Sequence, residues 1–195
     1  MVIKSKGEKT REHILKKTRA LLVSQGYHGT SINSIIQATG VKKGNLYYYF
    51  AGKEELGLAV LEDAGREFLR FLKNSFEGED PKKDILNSAK AILQELQERN
   101  FTGGCLFGNT ALEMSDTNQK FARVIRTVFD DWTAEYEQKL AEAGTLGRLP
   151  GNMPPPLMAR TLVALIEGWI MLARIRKSEN DVRDCLYALK NMLAE

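Results

Sequence analysis

The 195 residues carry 43% hydrophobic and 27% charged side chains, enough to bury a core in one medium domain or in a small domain joined to a larger one. The formal charge of +3 is unevenly placed: Met1 to Lys53 holds ten basic and two acidic residues, net +8, and the remainder holds 18 basic and 23 acidic, net −5. A basic N-terminal module on an acidic body is the footprint of a nucleic-acid binder whose second part does not bind.

Five prolines and few β-branched runs point to an all-α chain. Cys105 and Cys185 form no CxxC pair and no disulfide framework, and they fit a reducing cytoplasm as packing residues. The N-terminus, M-V-I-K-S-K-G-E-K-T, lacks the apolar stretch of a signal peptide. The most apolar run, Leu162 to Ala173, is interrupted by Glu167 and falls short of the ~20 residues a bilayer requires. A soluble, cytoplasmic protein is expected.

In chain order, residues 1–8 read as a polar, basic, mobile arm. Thr10 to Gln25 places Ile14, Leu15, Thr18, Leu21 and Leu22 on one helix face, with Gly26 as its stop. Ser31 caps a second, short helix whose apolar face is Ile32, Ile35 and Ile36. After a Thr39-Gly40-Val41 turn, Lys42-Lys43-Gly44-Asn45 opens a third helix with Leu46, three consecutive tyrosines and Phe50. Two short helices joined by a tight glycine turn form a helix-turn-helix candidate, whose second helix would enter a DNA major groove. Helices this short are marginal alone, so the first must supply their core: Ile14, Leu15, Leu21 and Leu22 against Ile32, Ile35, Ile36, Val41, Leu46 and Phe50.

Lys53 to about Phe76 is a long helix striped by Leu61, Ala64, Phe68, Phe71, Leu72 and Phe76. About 24 residues would reach on the order of 36 Å, a rod that joins the basic module to a separate body. Asp80-Pro81 starts a fifth helix with cap and first-turn chemistry, striped by Ile85, Leu86, Ala89, Ile92, Leu93 and Leu96. Cys105 to Met114 is a sixth, and Ser115-Asp116 caps a seventh carrying Phe121, Val124, Ile125, Val128, Phe129, Trp132, Tyr136 and Leu140. Gly144 to Pro156 is a glycine- and proline-rich flexible loop. The eighth helix, Pro156 to Lys177, is apolar almost all round and so has to be buried on two sides. The ninth is striped by Val182, Cys185, Leu186, Leu189, Met192 and Leu193. Two terminal helices with such faces fit a four-helix bundle across a dimer two-fold. The expected division is 1–52, the three-helix module, and 53–195, a helical body, about nine helices in all.

The stretch Gly29-Thr30-Ser31-Ile32, Gly40-Val41, Gly44-Asn45-Leu46-Tyr47-Tyr48-Tyr49-Phe50 and Lys53-Glu54-Glu55-Leu56 resembles the N-terminal signature of the tetracycline-repressor (TetR) family of transcription regulators. It covers about a quarter of the chain, and the helix-only remainder is similar to that family's ligand-binding and dimerisation body. One departure is Tyr49, where members commonly carry histidine; tyrosine keeps a phosphate donor. The resemblance implies that Thr30 and Ser31 hold a phosphate at the start of the second helix. It implies that Lys42 and Lys43 reach phosphates or guanine edges, that Gly44 admits the backbone close to DNA, and that Asn45 reads adenine or bonds a phosphate. Tyr47, Tyr48 and Tyr49 cannot all face inward and read as phosphate donors or thymine-methyl contacts, while Lys53 is placed for a backbone phosphate. The plainer alternative, a helix end with a core aromatic, is met by Phe50 alone and leaves the charge asymmetry unexplained.

Only His13 and His28 occur, with no metal-ligand spacing, no nucleophile-and-base arrangement and no phosphate-cradling glycine loop; neither an enzyme, a metal nor a cofactor is expected. Asn109 and Glu113 share a face of the sixth helix, and Phe68, Phe101, Phe107, Phe129, Trp132 and Trp169 lie in segments that would surround them. These residues form either an apolar pocket whose carboxylate orients a cationic or hydroxyl-bearing ligand, or an ordinary aromatic core in which Glu113 caps or pairs with a neighbour. The expected partners are double-stranded operator DNA, a second copy of the chain and a small-molecule effector, for a ligand-responsive repressor; a DNA-binding regulator or architectural protein without an effector is the alternative.

Overall fold

The computed structural model describes residues 5–78, 80–148 and 153–194. Among them are nine helices and no strand: α1 Lys6–Gly29, α2 Ile32–Thr39, α3 Lys43–Tyr49, α4 Lys53–Asn74, α5 Pro81–Glu98, α6 Leu106–Met114, α7 Gln119–Thr145, α8 Pro155–Arg176 and α9 Glu179–Met192.

Two starts differ from the sequence expectation. Residues 6–8 are not an arm, because Ser5-Lys6-Gly7-Glu8 closes a capping box. The Ser5 hydroxyl accepts the Glu8 N–H, and the Glu8 carboxylate accepts the Ser5 N–H at 2.7 Å. Residues 1–4 of the expected arm lie outside the described residues. The cap of α7 is Asn118 rather than Ser115-Asp116, its side-chain oxygen accepting from Lys120 N at 3.0 Å; residues 115–117 complete the turn that ends α6. Of the loop expected over Gly144 to Pro156, residues 149–152 lie outside the described residues, and α7 continues to Thr145.

The described chain divides into two compact units. The first comprises residues up to Arg66 together with Leu106–Ile125, and the second comprises Glu67–Cys105 with residues from Arg126 on. The expected division at residues 52 and 53 coincides with the start of α4, whereas the compact units divide within that helix, between Arg66 and Glu67. Helix α4 carries Leu56, Val60, Leu61 and Ala64 in the first unit's core and Leu72 in the second's.

In the first unit, α1 packs on α2 and on α6. Ile14, Leu15, Leu22, Ile35, Leu46 and Phe50 are buried, as the sequence stripes require, while Leu21, Ile32, Ile36 and Val41 are half-buried. Helix α1 breaks at Gly26 (φ 75°, ψ 174°), a conformation close to exclusive to glycine, and a last turn, Tyr27 to Gly29, is bonded through its first amides to Glu113 of α6. Tyr27 is buried there, edge-on to Phe121 with ring centroids 4.8 Å apart.

In the second unit, α5 packs on α8 and α9, and α8 on α9. The 22-residue α8 is long and apolar enough in composition to cross a bilayer, longer than its central run suggested. Met158, Ala159, Leu162, Val163, Ile166, Ile170 and Ala173 account for part of that composition, since they are buried against the core formed with Leu93, Trp132, Tyr136 and Leu189, while Leu157, Met171 and Ile175 of the same helix are exposed.

Candidate nucleic-acid interface

Helix α2 begins at Ser31, whose hydroxyl accepts the Ser34 N–H at 3.0 Å while the Ser34 hydroxyl accepts the Ser31 N–H at 2.9 Å. It ends at Gly40 in the left-handed conformation (φ 68°), whose N–H returns to the Ile36 carbonyl. Thr39, whose hydroxyl donates to the Ile35 carbonyl at 2.7 Å, closes the same turn. After Val41 and Lys42, α3 starts at Lys43, with Lys42 as an N-cap that makes no side-chain capping bond. Leu46 and Phe50, 1% and 2% exposed, pin α3 to the core and fix which face looks outward. That face presents Lys42, Lys43, Gly44, Asn45, Tyr47 and Tyr48, all exposed, with Tyr48 at 81%. Tyr49 is half-buried, edge-on to Tyr48 at 5.0 Å between ring centroids. The Arg11 guanidinium lies 5.2 Å from the centroid of the Phe50 ring.

The other residues of this group are placed differently. Ser31 is exposed, but Thr30 is fully buried and its hydroxyl donates to the Gly26 carbonyl at 2.7 Å. A phosphate-binding role for the Thr30 side chain is therefore corrected: the hydroxyl is spent inside the α1–α2 corner. Lys53 is the first residue of α4, half-buried, with its ammonium 4.4 Å from the centroid of the Tyr27 ring. Burial pulls its pKa below the ordinary lysine value, against the opposing charge of Glu113.

Glu113 is the clearest correction among the ligand candidates. Its two carboxylate oxygens accept the backbone N–H groups of Tyr27 at 3.1 Å and His28 at 2.7 Å. The side chain that was a candidate ligand anchor instead caps the broken end of α1. Phe107, buried, and Asn109, half-buried, lie on the same helix in the first unit.

Phe68, Phe101, Phe129, Trp132 and Trp169 belong to the second unit. Trp132 is 2% exposed and is the hub, edge-on to Phe68 at 5.1 Å and stacked with Phe129 at 6.3 Å. Phe101 is likewise buried, so these two are core, and only Phe68, Phe129 and Trp169 reach its half-buried margin. The carboxylate that sequence reasoning passed over is Glu167. Burial pushes its pKa up, against a hydrogen bond with the Cys105 thiol, and one of its oxygens is buried with no hydrogen-bond partner. Its signal in the sequence was a single acid inside the apolar run Leu162 to Ala173, which was read only as an interruption.

Residues 14–60 match the tetR family of bacterial regulatory proteins, and residues 82–189 match the tetracyclin repressor-like C-terminal domain. An HTH-type transcriptional regulator in the lacX 3′ region of Lactococcus lactis subsp. lactis is 30% identical over 178 residues, 88% of this chain and 86% of that protein. The HTH-type transcriptional repressor DhaR of Mycobacterium sp. (strain GP1) is 26% identical over 170 residues, 86% and 84% of the two chains. The crystal structure of the reduced form of Escherichia coli NemR superposes with a TM-score of 0.87 at 26% identity, covering 94% of this chain and 96% of that one.

Proposed function

The chain belongs to the tetR family of bacterial regulatory proteins, and from that premise we propose a repressor that binds a pseudo-palindromic operator as a homodimer in the cytoplasm and is released by a small hydrophobic or amphipathic effector. The observation that carries the reading is the outward face of α3: Lys42, Lys43, Asn45, Tyr47 and Tyr48 exposed together on a base of buried Leu46 and Phe50. Lysine and amide donors suit phosphates and purine edges, and phenols suit phosphates and thymine methyls. Ser31 is placed beside them as a further phosphate donor, and Gly44 leaves room for close backbone approach. Tyr49 and Lys53 complete the set, the latter by swinging its flexible stem off Tyr27.

The dimer is assigned to α8 and α9. Leu157, Met171 and Ile175 on α8 and Tyr187 on α9 are between 47% and 71% exposed, apolar surface that a second copy would cover. In that dimer two recognition helices would meet successive major grooves about 34–36 Å apart. An effector shifts the operator-binding state only by its differential affinity for the two arrangements. Its seat is assigned to the margin of the second unit's core, where Phe68, Phe129 and Trp169 are half-buried.

The test is selection of duplexes from a randomised library by the purified protein, followed by gel shift across a salt series. Recovery of an inverted repeat bound as a dimer, with affinity falling steeply with salt, is the expected outcome. A flat salt response would sink the phosphate roles. The burial of Trp132, Phe101 and Phe107 favours a second reading, a regulator whose body is filled and takes no effector. Thermal shift of the protein against a mixed metabolite extract separates them: no shift with any fraction favours the second.

A further inference from the structure

Beside the recognition helix is a solvent-open cleft of ≈600 Å³, formed where the first turns of α1 meet the turn between α2 and α3. Its polar lining is Lys6, Lys9, Thr10, His13, Lys42 and Asn45, and no carboxylate lines it. We infer that this cleft is a separate backbone-phosphate site, in which α1 grips the DNA strand flanking the groove that α3 enters. The inference rests on the DNA-binding reading and adds residues that reading does not use.

Three features make the cleft a built site. The capping box at Ser5 and Glu8 holds the first turn of α1 in helical form, so Lys6 and Lys9 stand at fixed positions, not on a loose arm. Residues 6, 9, 10 and 13 are spaced at three, four and seven along the helix and so share one face. That face is tied to the helix-turn-helix by His13, whose Nε2 lies 3.0 Å from the Thr39 carbonyl and, facing an acceptor, carries the proton. The Thr10 hydroxyl is engaged with the Lys6 carbonyl at 2.9 Å, so the donors left for an anion are the three ammonium groups and the Asn45 amide. Three cations converging without a carboxylate repel one another in the free protein, and a phosphate relieves that repulsion. Lys42 and Asn45 are shared with the opening of α3, which sets the flanking phosphate within one turn of the base-reading residues.

The experiment is fluorescence anisotropy of the full chain on two labelled duplexes, one recovered by selection and one unrelated, from 50 to 300 mM salt. Each lysine–phosphate contact contributes about 0.9 to the slope of log K against log salt. Each dimer carries two such clefts, so K6Q/K9Q removes four contacts and is expected to lower the slope by about 3.6 and the affinity by about 1,000-fold at 0.1 M salt, on both duplexes alike. K6R/K9R should keep both near wild type. K16Q/K17Q, which removes the same charge from exposed positions of α1 outside the cleft, should leave the slope within about 0.5. Glutamine keeps helix propensity at these exposed positions, and matching far-UV spectra would confirm that all variants fold. Equal losses in K6Q/K9Q and K16Q/K17Q, or no loss in the former while wild type binds steeply, would overturn the cleft and leave the α3 reading standing. Wild type that ignores salt on both duplexes would fell the DNA reading and the cleft with it. Inorganic phosphate competing beyond chloride of equal ionic strength, with duplex binding unchanged in K6Q/K9Q, would make the cleft a free-anion site and refute its DNA role.

Discussion

Gly26→Ala tests the corner that joins α1 to the helix-turn-helix. A Cβ at Gly26 faces two separate penalties. The backbone there (φ 75°, ψ 174°) costs a non-glycine residue about 1–3 kcal/mol. The same Cβ would stand 2.4 Å from a Glu113 carboxylate oxygen, so the carboxylate has to leave the Tyr27 and His28 amides it now accepts. Losing that latch costs about 2 kcal/mol, because water reaches the exposed His28 N–H and replaces part of what is lost. The substitution is therefore expected to destabilise by about 3–5 kcal/mol in urea unfolding followed by circular dichroism, and Glu113→Ala alone by about 2 kcal/mol. The double variant loses the latch only once, so it should be more stable than the sum of the singles by about 2 kcal/mol. Additivity within about 0.5 kcal/mol, or a Gly26→Ala cost below about 1 kcal/mol, would refute the latch or the strain respectively.

Replacing Lys43 and Tyr47 with alanine should abolish gel-shift binding to the selected duplex and leave the sedimentation coefficient unchanged; loss of the dimer instead would misplace the DNA face. At Asp84, burial opposes ionisation, but the Lys139 ammonium at 2.9 Å and the N–H groups of Glu77 and Gly78 outweigh it and hold the carboxyl below its usual value of 3.8. A depressed folded value means the stability is whole above that pH and is lost as pH falls through the folded value. Asp84→Asn should thus cost about 2–4 kcal/mol in urea unfolding at pH 7, with a deficit that shrinks on acidification below about pH 4; a pH-independent deficit would count against the ion pair. Cys185 is fully buried and its thiol is pushed up to about 12 by that burial. A Cys105→Ser chain should therefore react with a chromogenic disulfide only once unfolded, and native labelling at the unfolded rate would refute that burial.

How far the sequence was legible depended on whether each side chain's partner lies nearby in the chain. Helix α2 could be read nearly whole, since Ser31, Ile35 and Gly40 act within one or two turns: a cap, a buried stripe and a left-handed stop. The start of α5 at Asp80-Pro81 was legible for the same reason. At the N-terminus the local signal was present in Ser5 and Glu8, but the lysines around it drew the reading toward a solvated arm. Periodicity put Asn109 and Glu113 on one face of α6 correctly, yet nothing local identifies the acceptors' partners, amides 85 and 86 residues earlier. Thr30 was misread because its neighbour Ser31 is the cap, and a hydroxyl one residue outside a cap is turned into the corner. The sequence grouped Phe68 and Trp132 with Asn109 and Glu113, yet they belong to different units, and only packing separates a core hub from a pocket margin.

The first unit is discontinuous in sequence, drawing on residues up to 66 and again on 106–125. This sets a schedule for synthesis on the ribosome. When the recognition helix has emerged, Tyr27 still lacks Phe121 and its amide still lacks Glu113, so the corner behind α2 stays open while Glu67–Cys105, a stretch belonging to the other unit, is made. The ordinary vectorial order, N-terminal unit first, is thereby inverted or at least suspended. A nascent chain stalled before Phe121 is exposed would carry the basic face without the packing that orients it, and would be a poor DNA binder until release. A fragment cut at residue 52 would lack Leu56, Val60, Leu61 and Phe121, all buried in the first unit.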